Sequence, residues 1–233
     1  VKTFHQIVPA FNRIMSAAAE KATESSVVNH IRRPFKGSCH CGAIQYIAYL
    51  TVPYPGPGEG IERLYKCNCR ICHKAGFMHI RVPDAPKDFL LLSPLDPFKE
   101  LGDYLCIRKR LHFFFCKTCG VRCFIVMGEG RISDVEVDTD LLNVSLEKLS
   151  IADDGNQTNK KTVQAWHMVP DSEAVDMPYG QYLSVNGHTI DAGQEGFDMR
   201  EWVEKKSVLY YDFLQDDNSA PGRYEAPHIG GCY

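Results

Sequence analysis

Between residues 37 and 128 the chain alternates short apolar runs with turn-forming residues. AIQYIAYL, FMHIRV, FLLLS, DYLCIRK, LHFFFC and VRCFIVM follow one another, separated by stretches such as the Pro/Gly-rich VPYPGPGEG. β-Branched and aromatic runs of this length, bounded by Gly, Pro and Asp, predict a mainly β domain built largely from antiparallel strands. The pattern changes on either side. Residues 9–22 place Phe11, Ile14, Met15 and Ala18 at helical spacing after Pro9, which predicts one amphipathic helix. Its apolar stripe would pack on the domain or on a second copy, giving a homodimer. Beyond residue 128 the signal weakens. Residues 139–175 read as polar loop with a short apolar patch at AWHMV, YGQYLSV and SVLYYDFL read as strands, and residues 197–206 read as a short helix. The expected organisation is a helical extension over residues 1–34, a mainly β domain over 35–150, and an extension over 151–233 that packs on the same domain.

Hydrophobic residues make up 44% of the 233 positions, enough to bury one sizeable core with decorations. Charge adds mainly exclusions. With 26 Lys+Arg against 29 Asp+Glu the net charge is −3, so no field draws in a nucleic-acid backbone or an anionic membrane. No run approaches the roughly 18 apolar residues of a membrane span. The opening VKTFHQIVPAFNRIM lacks the continuous apolar core of a secretory signal, so a cytoplasmic protein is expected. Gly-rich phosphate loops, nucleophile elbows and histidine-pair zinc motifs are absent from the sequence.

The ten cysteines alter the picture through their arrangement. Cys39 and Cys41 form a CxC pair, Cys67, Cys69 and Cys72 a CxCxxC motif, and Cys116 and Cys119 a CxxC pair with Cys123 close behind. Sulfurs two or three residues apart converge on a tetrahedral ion when the backbone turns around it, whereas a disulfide between such near neighbours is strained. The arrangement therefore favours metal. Cys39, Cys41, Cys116 and Cys119 supply four thiolates, a closed structural zinc site, each pair followed by a glycine, Gly42 or Gly120, where the backbone curls. Cys67, Cys69 and Cys72 supply three, which leaves a coordination position open for chemistry. A fourth ligand from Cys123, His73 or His40 would close that site. Arg70, His73 and Lys74 stand beside the trio in sequence, where they could draw charge from sulfur or form a solvated basic turn.

The three motifs Gly37-Ser38-Cys39-His40-Cys41-Gly42, Cys67-Asn68-Cys69-Arg70-Ile71-Cys72 followed by Gly76, and Phe115-Cys116-Lys117-Thr118-Cys119-Gly120 resemble those of the glutathione-dependent formaldehyde-activating family, which includes centromere protein V. The resemblance spans residues 37 to about 150, and the later SLEKLSIAD and YYDFL segments are similar to extended, fungal-type members. It implies coiled antiparallel sheets with a few peripheral helices, a structural zinc on Cys39, Cys41, Cys116 and Cys119, a catalytic zinc on Cys67, Cys69 and Cys72, and a glutathione site nearby. Family members commonly carry a small Ser where this chain has Arg70, which points to a larger or anionic substrate.

The leading expectation is a carbon–sulfur lyase or synthase that adds glutathione thiol to formaldehyde or a related small carbonyl compound. In it Arg70 and Lys74 would bind glutathione carboxylates and His73 would shuttle a proton. A second reading has the same zinc act on a larger carbonyl-bearing metabolite as a lyase, isomerase or decarboxylase. Arg70 would then anchor the acid group, and Phe77, Phe113, Phe114, Trp166 and Tyr182 would line the pocket, although aromatics in strands are more often core. A third reading is a zinc-stabilised binding module without turnover. Cys106 is expected as a buried thiol, and His167, His188 and His228 as packing or surface residues.

Overall fold

Strand β1 (Ile31–Ser38) curls back through residues 39–44 and returns as β2 (Gln45–Val52), paired residue for residue from Ile31↔Val52 to Ser38↔Gln45. The computed structural model describes residues 29–106, 109–141, 160–174, 180–214 and 222–231. The helix expected over residues 9–22, the stretch 142–159 and Cys232 lie outside them.

After the first hairpin come β3 (Arg63–Cys67), helix α1 (Arg70–Ala75), β4 (Met78–Arg81), α2 (Ala85–Asp88), β5 (Phe89–Ser93), α3 (Pro97–Glu100), β6 (Gly102–Cys106), β7 (Leu111–Phe115), β8 (Phe124–Met127) and β9 (Gly130–Asp138). The later residues add β10 (Lys160–Met168), β11 (Tyr182–Asn186), α4 (Met199–Glu204) and β12 (Leu209–Tyr211). They form two sheets, one ordered β1-β2-β5-β10-β9 and the other β12-β3-β4-β11-β8-β7-β6. Every pairing is antiparallel except that of β12 with β3. The fold is mainly β with a few short helices, as the run pattern predicts.

Period-two alternation assigns the faces. In the seven-stranded sheet Leu64, Met78, Ile80, Val82, Leu183, Val185, Phe124, Val126 and Phe114 point inward. There they meet Phe35, Tyr46, Ala48, Leu50, Phe89, Leu91, Trp166 and Met168 of the five-stranded sheet in one continuous core. Phe89 sits at its centre, fully buried, with its ring 5.4 Å from Tyr46 and 5.0 Å from Phe124. The opposite face of the seven-stranded sheet is left to carry a second cluster around Cys67, Cys72, Phe77, Phe113 and Ile125.

The stretch 139–175 corrects the expectation of a loop. Lys160–Met168 is a nine-residue strand, paired with β9 from Lys160↔Asp138 to Met168↔Gly130. Its first half alternates polar and small residues against solvent, so its stability comes from a long-range partner that no local window reveals. The region expected to pack against the domain also enters both sheets: β10 lies between β5 and β9, and β11 between β4 and β8. The short helix expected near residue 200 is α4, started by the Asp198 side chain accepting from the Arg200 amide at 2.9 Å and anchored by buried Trp202. Among the described residues no helix is long and apolar enough to cross a membrane.

Candidate metal centres and an adjoining cavity

The quartet is built by two matching turns. One follows β1 and the other follows β7, so Cys39, Cys41, Cys116 and Cys119 meet across a long separation in sequence with all four sulfurs within 4.8 Å of one another. In each turn the glycine amide donates back to the first cysteine carbonyl, Gly42 to Cys39 at 3.0 Å and Gly120 to Cys116 at 2.9 Å. Both glycines have φ of 75°, a left-handed conformation that a side chain would strain. The Ile44 amide donates to Cys39 Sγ at 3.2 Å.

The sulfur spacing fits a tetrahedral ion. Metal–sulfur bonds of about 2.3 Å at tetrahedral angles place sulfurs about 3.8 Å apart. Cys39 and Cys41 are separated by 3.6 Å and Cys41 and Cys116 by 3.5 Å, with no disulfide among the described cysteines. Burial pushes the Cys39 thiol up to about 12, while the Val121 amide leads the pull on Cys119 down to about 6. Four soft ligands complete the coordination sphere, so this group can hold a metal ion but leaves no position for a substrate.

The trio forms where β3 ends and α1 begins. Cys67 closes the strand, Cys69 precedes the first helical residue, and Cys72 comes one helical turn later, which gathers the three sulfurs within 4.8 Å of one another. Asn68, the residue between the first two, fastens this corner to β12. Its amide donates to the Tyr211 carbonyl at 3.3 Å, its side-chain NH₂ to Asp212 at 2.7 Å, and its side-chain oxygen accepts from the Phe213 amide at 2.6 Å. Hydrogen bonds from its two sulfur neighbours hold the Cys69 thiol down near 2, helped by the Cys72 and Ile71 amides at the helix start. The same sharing pushes Cys67 up to about 12 and Cys72 higher still. Three sulfurs gathered at this corner can hold a metal ion.

The three sulfurs line a cavity of about 420 Å³ on the outer face of the seven-stranded sheet. Its walls come from one face of neighbouring strands: Arg63 and Tyr65 from β3, His79 and Arg81 from β4, Tyr182 from β11, Phe113 from β7, and Tyr211 from β12. The volume falls in the range of small-molecule sites, about 300–1,000 Å³, and the lining is largely apolar with a few convergent polar groups, as such sites are. The quartet lines neither this cavity nor the groove of about 750 Å³ beside it.

His79 is the residue that sequence reasoning missed. Its Nε2 lies 3.2 Å from Cys72 Sγ, and its Nδ1 lies 3.1 Å from Ser184 Oγ and 3.3 Å from the Tyr182 hydroxyl. Burial holds its pKa down at about 3, so the imidazole is neutral. Its ring stacks on Tyr65 at 4.3 Å and 5°, and the Tyr65 and Tyr182 hydroxyls are hydrogen-bonded to each other. Burial raises the pKa of both tyrosines, which keeps the phenols protonated. A sequence signal was present in FMHIRV: Met78, Ile80 and Val82 alternate inward, which sends Phe77, His79 and Arg81 to the face that carries the trio.

The basic residues beside the trio in sequence do not join it in space. Arg70, His73 and Lys74 lie on exposed positions of α1 and none lines the cavity. The helix turns them outward because Cys72 and Phe77 take the inward positions. None of the three residues weighed as a fourth ligand groups with the trio. His73 and His40 are exposed, and Cys123 is fully buried in the core between the sheets. Of the aromatics weighed as lining, Phe113 and Tyr182 line the cavity and Phe77 packs beneath the trio, but Phe114 and Trp166 belong to the core between the sheets. Cys106 is half-buried beside the trio's cluster, and burial raises its thiol pKa.

No protein-family model matches the sequence. Among solved structures the chain is similar to a crystal structure of a Rhodobacter sphaeroides protein, a structural-genomics target, at 16% identity and a TM-score of 0.36, over 71% of this chain and 93% of that one. A likeness at that score carries no inference about fold or activity.

Proposed function

We propose that the chain is a zinc-dependent enzyme of the glutathione-dependent formaldehyde-activating type, a carbon–sulfur lyase or synthase acting at Cys67, Cys69 and Cys72. The observation that carries this reading is the contrast between the two cysteine groups: the quartet is saturated and away from the cavity, whereas the trio is three-fold and opens into one. Cys67, Cys69 and Cys72 would hold a zinc ion, which when bound would supply Lewis acidity towards a carbonyl oxygen or a thiol.

The chain's own residues supply the remaining functions. With a metal bound Cys72 would carry no proton, and His79 would donate its Nε2–H to that sulfur and draw charge from it. Its Nδ1 then accepts from Ser184 or Tyr182. When a thiol adds to an aldehyde, the carbon–sulfur bond forms, the carbonyl π pair moves to oxygen, and the thiol's proton ends on that oxygen. The protonated Tyr182 hydroxyl, linked to Tyr65, can give a proton to the oxygen and regain one from the thiol side. Lysis is the same path reversed. Leu111, Phe113, Ile125 and Leu209 shield the reacting atoms from water.

A cavity of about 420 Å³ far exceeds a one-carbon aldehyde, and it has room for the thiol partner that glutathione would supply. The same volume, with Tyr65, Phe113, Tyr211 and Phe213 around it, favours as second reading a larger carbonyl-bearing metabolite. One assay separates the two. Zinc-loaded protein is given formaldehyde with and without glutathione, and S-hydroxymethylglutathione formation is followed against the uncatalysed rate, beside a panel of larger aldehydes and ketones. Acceleration with formaldehyde supports the first reading, turnover confined to larger carbonyls supports the second, and no turnover of any substrate refutes both.

A further inference from the structure

Arg63 on β3 and Arg81 on β4 stand directly opposite each other in the strand register. Like charges at opposed positions of an antiparallel pair cost stability. Among the described residues neither arginine makes an ion pair with a carboxylate. The acids of the adjoining groove are engaged elsewhere or apart. Asp84 pairs with Lys87 at 2.7 Å, Asp171 accepts from the Gln181 side chain at 3.1 Å, and Glu59 reaches neither arginine. Both arginines line the cavity and the groove alike, which places them where one opens into the other. The Arg81 guanidinium is held 5.0 Å above the Tyr182 ring, so its orientation is fixed by a residue of the same cavity.

We infer that Arg63 and Arg81 form a carboxylate clamp, and that the substrate is an aromatic carbonyl compound bearing an acid group at the end remote from its reacting carbon. The inference rests on the second reading above, in which the cavity takes a larger carbonyl-bearing metabolite. Arg63 and Cys67 are four residues apart on one strand, about 13 Å along it, and both face the cavity. A molecule that bridges the two ends runs along the strand between them. Between the two ends it passes Tyr65, Phe113, Tyr211 and Leu209, which present rings and apolar edges and no other cation. Paired guanidiniums with a fork geometry suit a carboxylate, and a flat apolar body suits the walls between.

The test is calorimetric binding to the zinc-loaded full chain, using unreactive probes so that turnover plays no part. 2-Naphthoate is compared with the uncharged 2-naphthalenemethanol in the wild type, in Arg63→Gln/Arg81→Gln, in Arg63→Lys and in Cys67→Ala. The acid is expected to bind the wild type roughly tenfold or more tightly than the alcohol. That preference disappears in the double glutamine variant, returns in part with Arg63→Lys, and survives in Cys67→Ala. Survival there separates the clamp from the metal, so a failure of the catalytic reading would leave this result standing. Equal binding of acid and alcohol by the wild type overturns the inference without reference to any variant. So does an acid preference that persists in the double variant, or an arginine-dependent affinity for glutathione with none for naphthoate, which would assign the clamp to the thiol partner.

Discussion

The imidazole Nε2 of His79 lies 3.2 Å from the sulfur of Cys72, on a buried path between the trio and two tyrosine hydroxyls. Its depressed pKa, near 3 because of burial, leaves it able to donate one hydrogen bond and accept another. A donor placed on a ligating thiolate stabilises the ligand's charge and fixes its direction, and losing such a partner typically costs metal affinity about 10- to 100-fold. His79→Ala should weaken zinc at the trio by that factor while zinc at the quartet stays unchanged. Competition with a chromophoric chelator measures both sites, and an unaltered affinity at the trio would remove His79 from the metal's surroundings.

The two cysteine groups should respond differently to the loss of one sulfur. Structural zinc sites contribute about 10–16 kcal/mol of apparent binding energy in small zinc domains, at or above the roughly 5–15 kcal/mol net stability of a typical protein. Cys116→Ala, which opens the quartet that ties the end of β1 to the end of β7, should therefore fail to fold or unfold on zinc removal. With two zinc ions expected in the wild type, Cys67→Ala should stay folded and carry one. Metal analysis beside circular dichroism reads both outcomes, and a Cys116→Ala protein with wild-type stability would show that the quartet is not structural.

Tyr182 tests the proton path. Its hydroxyl touches His79 and Tyr65, and burial keeps it protonated. Proton transfer by a positioned side chain contributes about 10²- to 10⁴-fold to rate. Tyr182→Phe, which keeps the ring under Arg81, should lower kcat on whichever carbonyl substrate is turned over by about 100-fold with zinc content unchanged. An unchanged kcat would move the proton path elsewhere.

The parts legible in the sequence were those set by short-range spacing. The CxCxxC motif and each half of the quartet were legible because a turn of two or three residues brings such sulfurs together, whereas the meeting of Cys39 and Cys41 with Cys116 and Cys119 followed from the resemblance and not from local spacing. The β runs were legible for the same reason, as period and turn chemistry are local. What failed depended on register. Arg70, His73 and Lys74 are near the trio in number but face outward on α1, whereas His79, Arg63 and Arg81 reach the cavity only because β3 and β4 pair with Tyr65 opposite His79. β10 was hidden likewise, since its partner β9 is what makes its polar first half a strand.

Glu62 gives a prediction about pH that is independent of the metal chemistry. It is 2% exposed just ahead of β3, accepts from the Thr51 amide at 2.9 Å, and burial raises its pKa above the ordinary 4.5. Between the ordinary and the raised value the folded protein holds a proton that the unfolded chain has released. Stability from this group is therefore full below the ordinary pKa and declines as pH rises through the raised one. Glu62→Gln keeps an oxygen for the Thr51 amide and has no charge to bury. Its melting temperature should match the wild type below the ordinary pKa of 4.5 and exceed it by a margin that grows as pH rises through the raised pKa towards neutrality. Comparing the two proteins at each pH cancels the pH dependence of every other group. A variant less stable than the wild type near neutrality would mean that the carboxylate is stabilised there by a partner stronger than the cost of its burial.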